Sequence, residues 1–260
     1  MPDIADRIGQ CWRVMATGFS FAAFGVGGLV LRAAVFPVLG LLVRDRARRT
    51  ALARDIIRLT FRAFVGLMRG LGVLRYDLVG LERLDRGGQL ILANHPTLID
   101  TVFLMAFVRN ADCIVKGALW NNPFTRGPVR AAGYINNDQG MELVDACIAS
   151  LQAGNNLIVF PEGTRTPASG AIQLKRGAAN IAVRGAPLVT PVLINCHPPT
   201  LGKGDKWWRV PPSRVQFRIE VRDDIDTNSF TSGGTSEVMA ARHLTEHLQQ
   251  FFTRETQSHA

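Results

Sequence analysis

The sequence predicts an α/β domain, a mixed and largely parallel sheet flanked by helices, preceded by an N-terminal membrane-embedded helical motif. From residue 74 onward, short apolar runs of strand length recur, and helix-length amphipathic stretches separate them. Ahead of them, Val14–Leu31 holds no charged residue over 18 positions. That is close to the roughly 20 residues a bilayer-spanning helix needs.

Composition narrows the partners. The chain has 260 residues, 47% of them hydrophobic, enough for one large domain or a domain with an appendage. Its net charge of +9 favours a membrane surface, phosphate-bearing substrates or nucleic acid. No nucleic-acid reader motif occurs, so nucleic acid is not an expected partner. Cys11, Cys113, Cys147 and Cys196 stand far apart with no C-x-x-C pairing. They read as reduced thiols, three of them buried, in a reducing compartment. Zinc-finger spacing is absent, and no metal is expected.

In chain order, Met1–Arg13 is polar and mixed, and the uncharged run follows. Arg32 interrupts it, and Ala33–Val43 is apolar again with Pro37 inside. Gly25-Val26-Gly27-Gly28, Arg32 and Pro37 predict a bent or broken helical pair, re-entrant or spanning. A secretory signal does not fit, because no basic segment leads the run and no small-residue cleavage site closes it. The arginine cluster from Arg44 to Arg49 marks the cytoplasmic side, which places the chain at the inner cell membrane with its catalytic domain on the cytoplasmic face. Arg54, Arg58 and Arg62 recur every four residues in a predicted amphipathic helix, a basic face for anionic lipid. The domain boundary falls between residues 1–72 and 73–260.

Strands are predicted over Leu74–Val79, Leu90–Ala93, Cys113–Lys116, Gly133–Asn136, Leu157–Phe160, Leu188–Ile194 and Val215–Val221. Helices are predicted over Thr97–Val108, Met141–Leu151, Arg176–Val183 and Glu237–Phe252. Pro191 requires its strand to bulge or to lie at an edge.

Two stretches carry chemistry. Leu90–Ala93 reads as a buried strand, and Pro96 suits the first position of a helix, so His95 falls at the corner. From there its imidazole can fold back on Asp100, which orients it and stabilises its charged form. The second stretch, Phe160-Pro161-Glu162-Gly163-Thr164-Arg165, follows another buried strand, and ligands gather at the carboxyl ends of strands in open α/β sheets. Gly163 permits close backbone approach, Thr164 supplies a hydroxyl, and Arg165 can grip phosphate or carboxylate bidentately. Glu162 can pair with Arg165 or bind a substrate hydroxyl. Lys175 precedes a predicted helix, an anion-favouring place.

Together these residues resemble the glycerolipid and lysophospholipid acyltransferase family, 1-acylglycerol-3-phosphate acyltransferases among them. The resemblance rests on four blocks in family order across residues 75–195: His95 to Asp100 as H-x-x-x-x-D, Lys116 through Asn122-Pro123-Phe124 to Gly133-Tyr134-Ile135, Phe160–Arg165, and Val189-Thr190-Pro191-Val192. It implies transfer of an acyl group from acyl-CoA or acyl-carrier protein to the hydroxyl of a lyso-lipid acceptor at the bilayer surface, in phospholipid biosynthesis. No cofactor is expected beyond the donor, which is a co-substrate. His95 would be the general base and Asp100 its orienting partner. Backbone donors near Gly163 or Thr97 would hold the oxyanion. Arg165, Lys116 and Lys175 would anchor anionic parts of the substrates.

Family members commonly carry an arginine shortly after the second block's glycine, where it holds the acceptor phosphate. Here Asn136-Asn137-Asp138-Gln139 occupies that place, which predicts an acceptor other than ordinary lysophosphatidate unless Arg126 or Arg130 substitutes. Two rivals remain. One is a lipid hydrolase or zinc peptidase, since His243-Leu244-Thr245-Glu246-His247 fits H-x-x-E-H, although no G-x-S-x-G is present. The other is a non-catalytic membrane lipid-binding protein. The basic loop Lys203–Arg209, with Trp207 and Trp208, suits either a membrane interface or a cap on the core.

Overall fold

A four-residue strand with every side chain buried, Leu90–Ala93, sits at the middle of the sheet. Ile91 and Ala93 point to one face and Leu90 and Leu92 to the other, so both faces must be covered. The computed structural model describes residues 4–140, 142–167 and 169–257.

The chain opens with helix α1 (Ile4–Val30), a π-helical stretch at Leu31–Val35, α2 (Phe36–Leu42) and α3 (Arg46–Gly70). The sheet domain then runs β1 (Leu74–Val79), β2 (Leu90–Ala93), α4 (Asp100–Phe107), β3 (Ala111–Val115), α5 (Gly117–Asn121), α6 (Arg126–Ala131) and β4 (Ile135–Asn136). It continues with α7 (Glu142–Gln152), β5 (Asn156–Val159), α8 (Gly177–Gly185), β6 (Leu188–His197), β7 (Val215–Val221), β8 (Ile225–Asp226), α9 (Asn228–Thr231) and α10 (Glu237–Gln257). Sheet order is β1-β7-β6-β2-β5-β3-β4, with β8 against β6. Strands β2 to β6 are mutually parallel, and β7 runs antiparallel to β6 while β1 is parallel to β7. The carboxyl ends of β2, β3 and β5 and the amino ends of β1 and β7 therefore share one edge. Phe64, Met68 and Phe103 from α3 and α4 fill one face; Cys147, Ile181, Leu244 and Phe252 from α7, α8 and α10 fill the other.

The mixed, largely parallel sheet predicted from sequence is the one observed, and three local expectations change. The glycines at 25–28 do not break the first helix; α1 passes through them. A Cβ on Gly28 would lie 2.7 Å from the Phe124 carbonyl oxygen, so glycine admits the segment between α5 and α6. Arg32 does not end the helix either, because its guanidinium caps the Pro123 carbonyl at 2.9 Å. The break comes at residues 43–45, where Asp45 caps α3 by accepting from the Arg48 N–H. The Arg54/Arg58/Arg62 face is also not uniform. Arg54 is buried against Asp112 at 2.8 Å and donates to Ala132 O and Asn110 Oδ1, so it ties α3 to the sheet and cannot meet lipid.

Pro191 lies in a central strand but at a local edge. Its carbonyl accepts from Arg222 N–H at 2.9 Å, so its nitrogen faces the gap where β7 ends and β8 has not begun. No ladder donor is needed there. Helix α1 packs Phe21 and Phe24 on Phe61 and Phe64 of α3. Its opposite face leaves Trp12, Met15, Phe19, Val26 and Val30 exposed, an apolar stripe at helical spacing. Arg7–Leu42 is long and apolar enough to cross a membrane by length and composition.

Candidate functional site

His95 lies just beyond β2, held by its own backbone. Its N–H donates to Glu162 Oε1 at 2.9 Å and its carbonyl accepts from Thr166 N–H at 2.7 Å. Asn94 fixes the strand end beneath it by bonding both the N–H and the carbonyl of Ile194 in β6. Pro96 does not start the helix, as the sequence suggested. The chain turns through residues 96–99 and α4 begins at Asp100. This turn lets His95 Nδ1 reach Asp100 Oδ2 at 2.9 Å, a contact regular helical spacing would forbid.

Asp100 is fully buried. Its Oδ2 also accepts the Thr97 N–H at 2.7 Å, and its Oδ1 accepts the Thr97 hydroxyl. Burial pushes its carboxyl up, opposed by the hydrogen bonds and charge of His95 and by the bonds from Thr97. Its place in the first turn of α4 also favours the anion. With Nδ1 on Asp100, His95 presents Nε2, which carries no hydrogen bond among the described residues. Phe160 stacks on the imidazole, with ring centroids 4.2 Å apart. The site can therefore hold one histidine in a fixed tautomer, charge-stabilised through Nδ1, with an open nitrogen for proton transfer.

The other predicted residues gather at the same edge in altered roles. Glu162 is buried and does not pair with Arg165; besides the His95 N–H it accepts the Thr166 hydroxyl at 2.9 Å. Burial pushes its carboxyl up, and those two bonds pull it back. Arg165 Nη1 donates to Leu201 O and Gly202 O, at 2.9 and 2.6 Å, holding the loop after β6 beside the site. Gly163 has φ of +67°, and Lys175 lies against it, its Nζ 3.0 Å from where a Cβ would stand. A side chain at 163 would push that ammonium away. Thr164 is half-buried beside Arg165. Lys116 is exposed at the end of β3, two strand spacings or about 10 Å from β2. The proposed oxyanion donors are occupied: Thr97 N–H bonds Asp100, Leu98 N–H bonds Leu201 O, and Gly163 N–H bonds Phe160 O.

The sequence reading named the stretches that hold Asn94, Thr97 and Phe160 but not what these side chains do: fixing the strand end, holding Asp100 and stacking on the imidazole. It missed Thr166, one residue beyond the second stretch, altogether.

Beside α4 lies an apolar cavity of about 180 Å³. Phe24, Gly28 and Leu31 of the N-terminal helices line it, with Thr101 and Met105 of α4 and Val129 of α6. Thr101 and Met105 face it from the same helix whose first residue is Asp100.

The H-x-x-E-H segment shows no metal geometry: His247 packs against Phe230 and Glu246 pairs with Arg242. The described residues hold no cluster of three or more metal-ligating side chains. Two cysteines, Cys113 and Cys147, are fully buried; Cys196 is half-buried and Cys11 exposed, so two and not three lie in the core. Burial pushes the Cys147 and Cys196 thiols up to about 12, away from nucleophilic thiolate.

Residues 75–195 match the family model described as Acyltransferase. The Caenorhabditis elegans protein acl-2 is 31% identical over 160 residues, 58% of this chain and 55% of that protein. The 1-acyl-sn-glycerol-3-phosphate acyltransferase of Pseudomonas aeruginosa is 26% identical over 64% of this chain and 66% of its own. That of Helicobacter pylori is 34% identical over 45% and 54%. The chain thus spans between about half and two thirds of the curated relatives it matches. The crystal structure of the 1-acyl-sn-glycerophosphate acyltransferase PlsC from Thermotoga maritima superposes with a TM-score of 0.69 at 20% identity, covering 97% of this chain and 98% of that one. The two share a fold.

Proposed function

We propose that this chain, whose residues 75–195 match the acyltransferase family model, transfers an acyl group from a thioester donor, acyl-CoA or acyl-carrier protein, to the hydroxyl of a lyso-lipid at a membrane surface. The observation that carries this reading is His95, with Nδ1 fixed on buried Asp100 and Nε2 carrying no hydrogen bond among the described residues.

An alcohol is a weak nucleophile at neutral pH. Nε2 of His95 takes the acceptor's hydroxyl proton as that oxygen attacks the thioester carbonyl. Asp100 stabilises the imidazolium that forms. The tetrahedral intermediate then expels the thiolate, which takes the proton back from Nε2 and leaves as thiol. Glu162 and Thr166 hold the His95 backbone and act as positioning residues. Lys175 and Lys116, exposed on the same edge, meet anionic parts of donor or acceptor. The chemistry needs no metal or further cofactor. The cavity lined by Phe24, Leu31 and Met105 is apolar and takes part of an acyl chain.

Membrane attachment is through the exposed stripe of α1. Both ends of this helix are tied to the sheet domain: Gln10 donates to Val210 O and Trp12 to Leu71 O at one end, Arg32 to Pro123 O at the other. A helix fastened along a water-soluble domain lies in one leaflet rather than crossing both. The basic segment Arg44–Arg49 supports the cytoplasmic face of the inner membrane.

The test is purified full-length protein assayed for thiol release and lipid product with both donors. His95→Ala should fold and lose transfer by about 10²–10⁴-fold. A folded His95→Ala protein with near-normal turnover ends this reading.

A further inference from the structure

We propose that Arg69, Arg75 and Arg214 form a second anion site, a phosphate-binding cleft on the same sheet edge as His95 but separate from it. The three line an open cleft of about 690 Å³ with Tyr76, Gly66 and Gly70. The site goes beyond the acyl-transfer reading, and its binding test does not require activity.

The cleft is built, not merely basic. Arg214 is fixed by its own bonds, to Leu74 O at 3.0 Å and Arg69 O at 2.8 Å, where α3 ends and β1 begins. Arg69 lies over the Tyr76 ring at 5.1 Å. Neither Arg69 nor Arg75 has an ion pair among the described residues. Asp77 is the one carboxylate lining the cleft, and it accepts from Gln216 Nε2. Burial and the charges of Arg75 and Arg69 weaken Arg214's hold on its own proton. Three cations facing one carboxylate call for an anion from outside.

The helix wall points the same way. Gly66 and Gly70 sit one turn apart on α3, and a Cβ on either would meet no atom within 4 Å. Glycine inside a helix costs about 1 kcal/mol relative to alanine, and packing within the chain does not call for it here. Bare backbone lets a ligand lie close against the helix.

Position identifies the ligand's source. Strand β1 is three spacings from β2, about 14 Å. A lyso-acceptor's hydroxyl and phosphate are joined by a few bonds of about 1.5 Å each, so the acceptor cannot place its hydroxyl at His95 and its phosphate here. Trp12, half-exposed on the outer stripe of α1, donates to the carbonyl of Leu71, the residue that follows Gly70 of the cleft. Tryptophan at such a place marks the headgroup level of a bilayer. The phosphate is therefore that of an anionic membrane phospholipid; the nucleotide phosphates of a coenzyme A donor are the other source with the same chemistry.

Calorimetry on the detergent-solubilised full chain tests this with three probes: a short-chain phosphatidylglycerol, a short-chain phosphatidylcholine, and the coenzyme A nucleotide without its pantetheine arm. Phosphatidylglycerol should bind about tenfold or more tighter than phosphatidylcholine, with salt sensitivity. Arg69→Gln with Arg75→Gln should abolish the difference. Gly66→Leu should abolish it too, while keeping every charge and helix α3. Tight nucleotide binding lost in the same variants would sustain the site and assign its phosphate to the donor. No preference for either anion overturns the proposal. So does a preference that survives Gly66→Leu, because that is a diffuse field and not a site.

Discussion

Asp100→Asn should lower kcat by about 10²–10³-fold, and for a reason specific to this site. An asparagine at such a position can present its amide NH₂ to the histidine and impose the wrong tautomer. Here Oδ2 accepts both the Thr97 N–H and His95 Nδ1. The Thr97 N–H can only donate, so it selects the asparagine's oxygen for that place. The NH₂ falls opposite the Thr97 hydroxyl, which can rotate to accept it. Geometry and tautomer survive, and what is lost is the carboxylate charge that stabilises the imidazolium. Two unit charges about 4 Å apart at an effective dielectric near 20 interact by about 4 kcal/mol. His95 is 17% exposed at its side chain, which trims this to about 3 kcal/mol, or roughly two decades at 1.36 kcal/mol each. Stopped-time thioester assays on wild type and variant would measure the loss. A loss under about fivefold refutes the reasoning.

Three further outcomes follow from the geometry. Glu162→Gln keeps an oxygen for His95 and Thr166 but removes a buried charge; since burial raises the native carboxyl, the native state binds more protons than the unfolded one and wild-type stability falls as pH rises through that range. Thermal melts should therefore show the variant gaining on wild type toward alkaline pH and matching it in acid, and a pH-independent difference would contradict the assignment. Trp12→Glu with Phe19→Glu and Val26→Glu should release the chain from carbonate-washed membranes, each charge opposing burial by about 2.5–3.5 kcal/mol; deleting residues 1–43 is a poorer test, because it strips Phe61 and Phe64 of their cover. Initial rates should favour a lyso-lipid lacking the phosphate over lysophosphatidate, because Asp138 lies over Gly117 beside Lys116 and offsets that charge; a clear preference for lysophosphatidate sinks the idea.

Leu74–Val79, Leu90–Ala93 and Val215–Val221 were legible to the residue because each is a local pattern, alternating or wholly buried, bounded by turn residues. The His95–Asp100 contact was legible as a spacing, but not the turn through 96–99 that makes it possible. Glu162, Arg165 and Arg54 could not be read correctly. Each is a charged residue whose partner is a backbone group or side chain at least 36 positions away, and composition treats such residues as available to ligands. The glycines at 25–28 misled for a related reason. Gly28 is there to admit Phe124, about a hundred residues downstream, and the group does not bend its own helix.

The shared wall between α1 and the apolar cavity has an energetic consequence for traffic through the site. Moving a fatty chain of roughly fifteen methylenes from lipid into water costs about 0.8 kcal/mol each, near 12 kcal/mol in all. Paid as part of a barrier, that would slow turnover by about nine orders of magnitude. Phe24, Gly28 and Leu31 line the cavity from the same helical run whose outer side carries Val26 and Val30. With α1 seated in a membrane as proposed, one thickness of helix separates hydrocarbon from hydrocarbon. A chain sliding past it would exchange one oily solvent for another without crossing the aqueous phase.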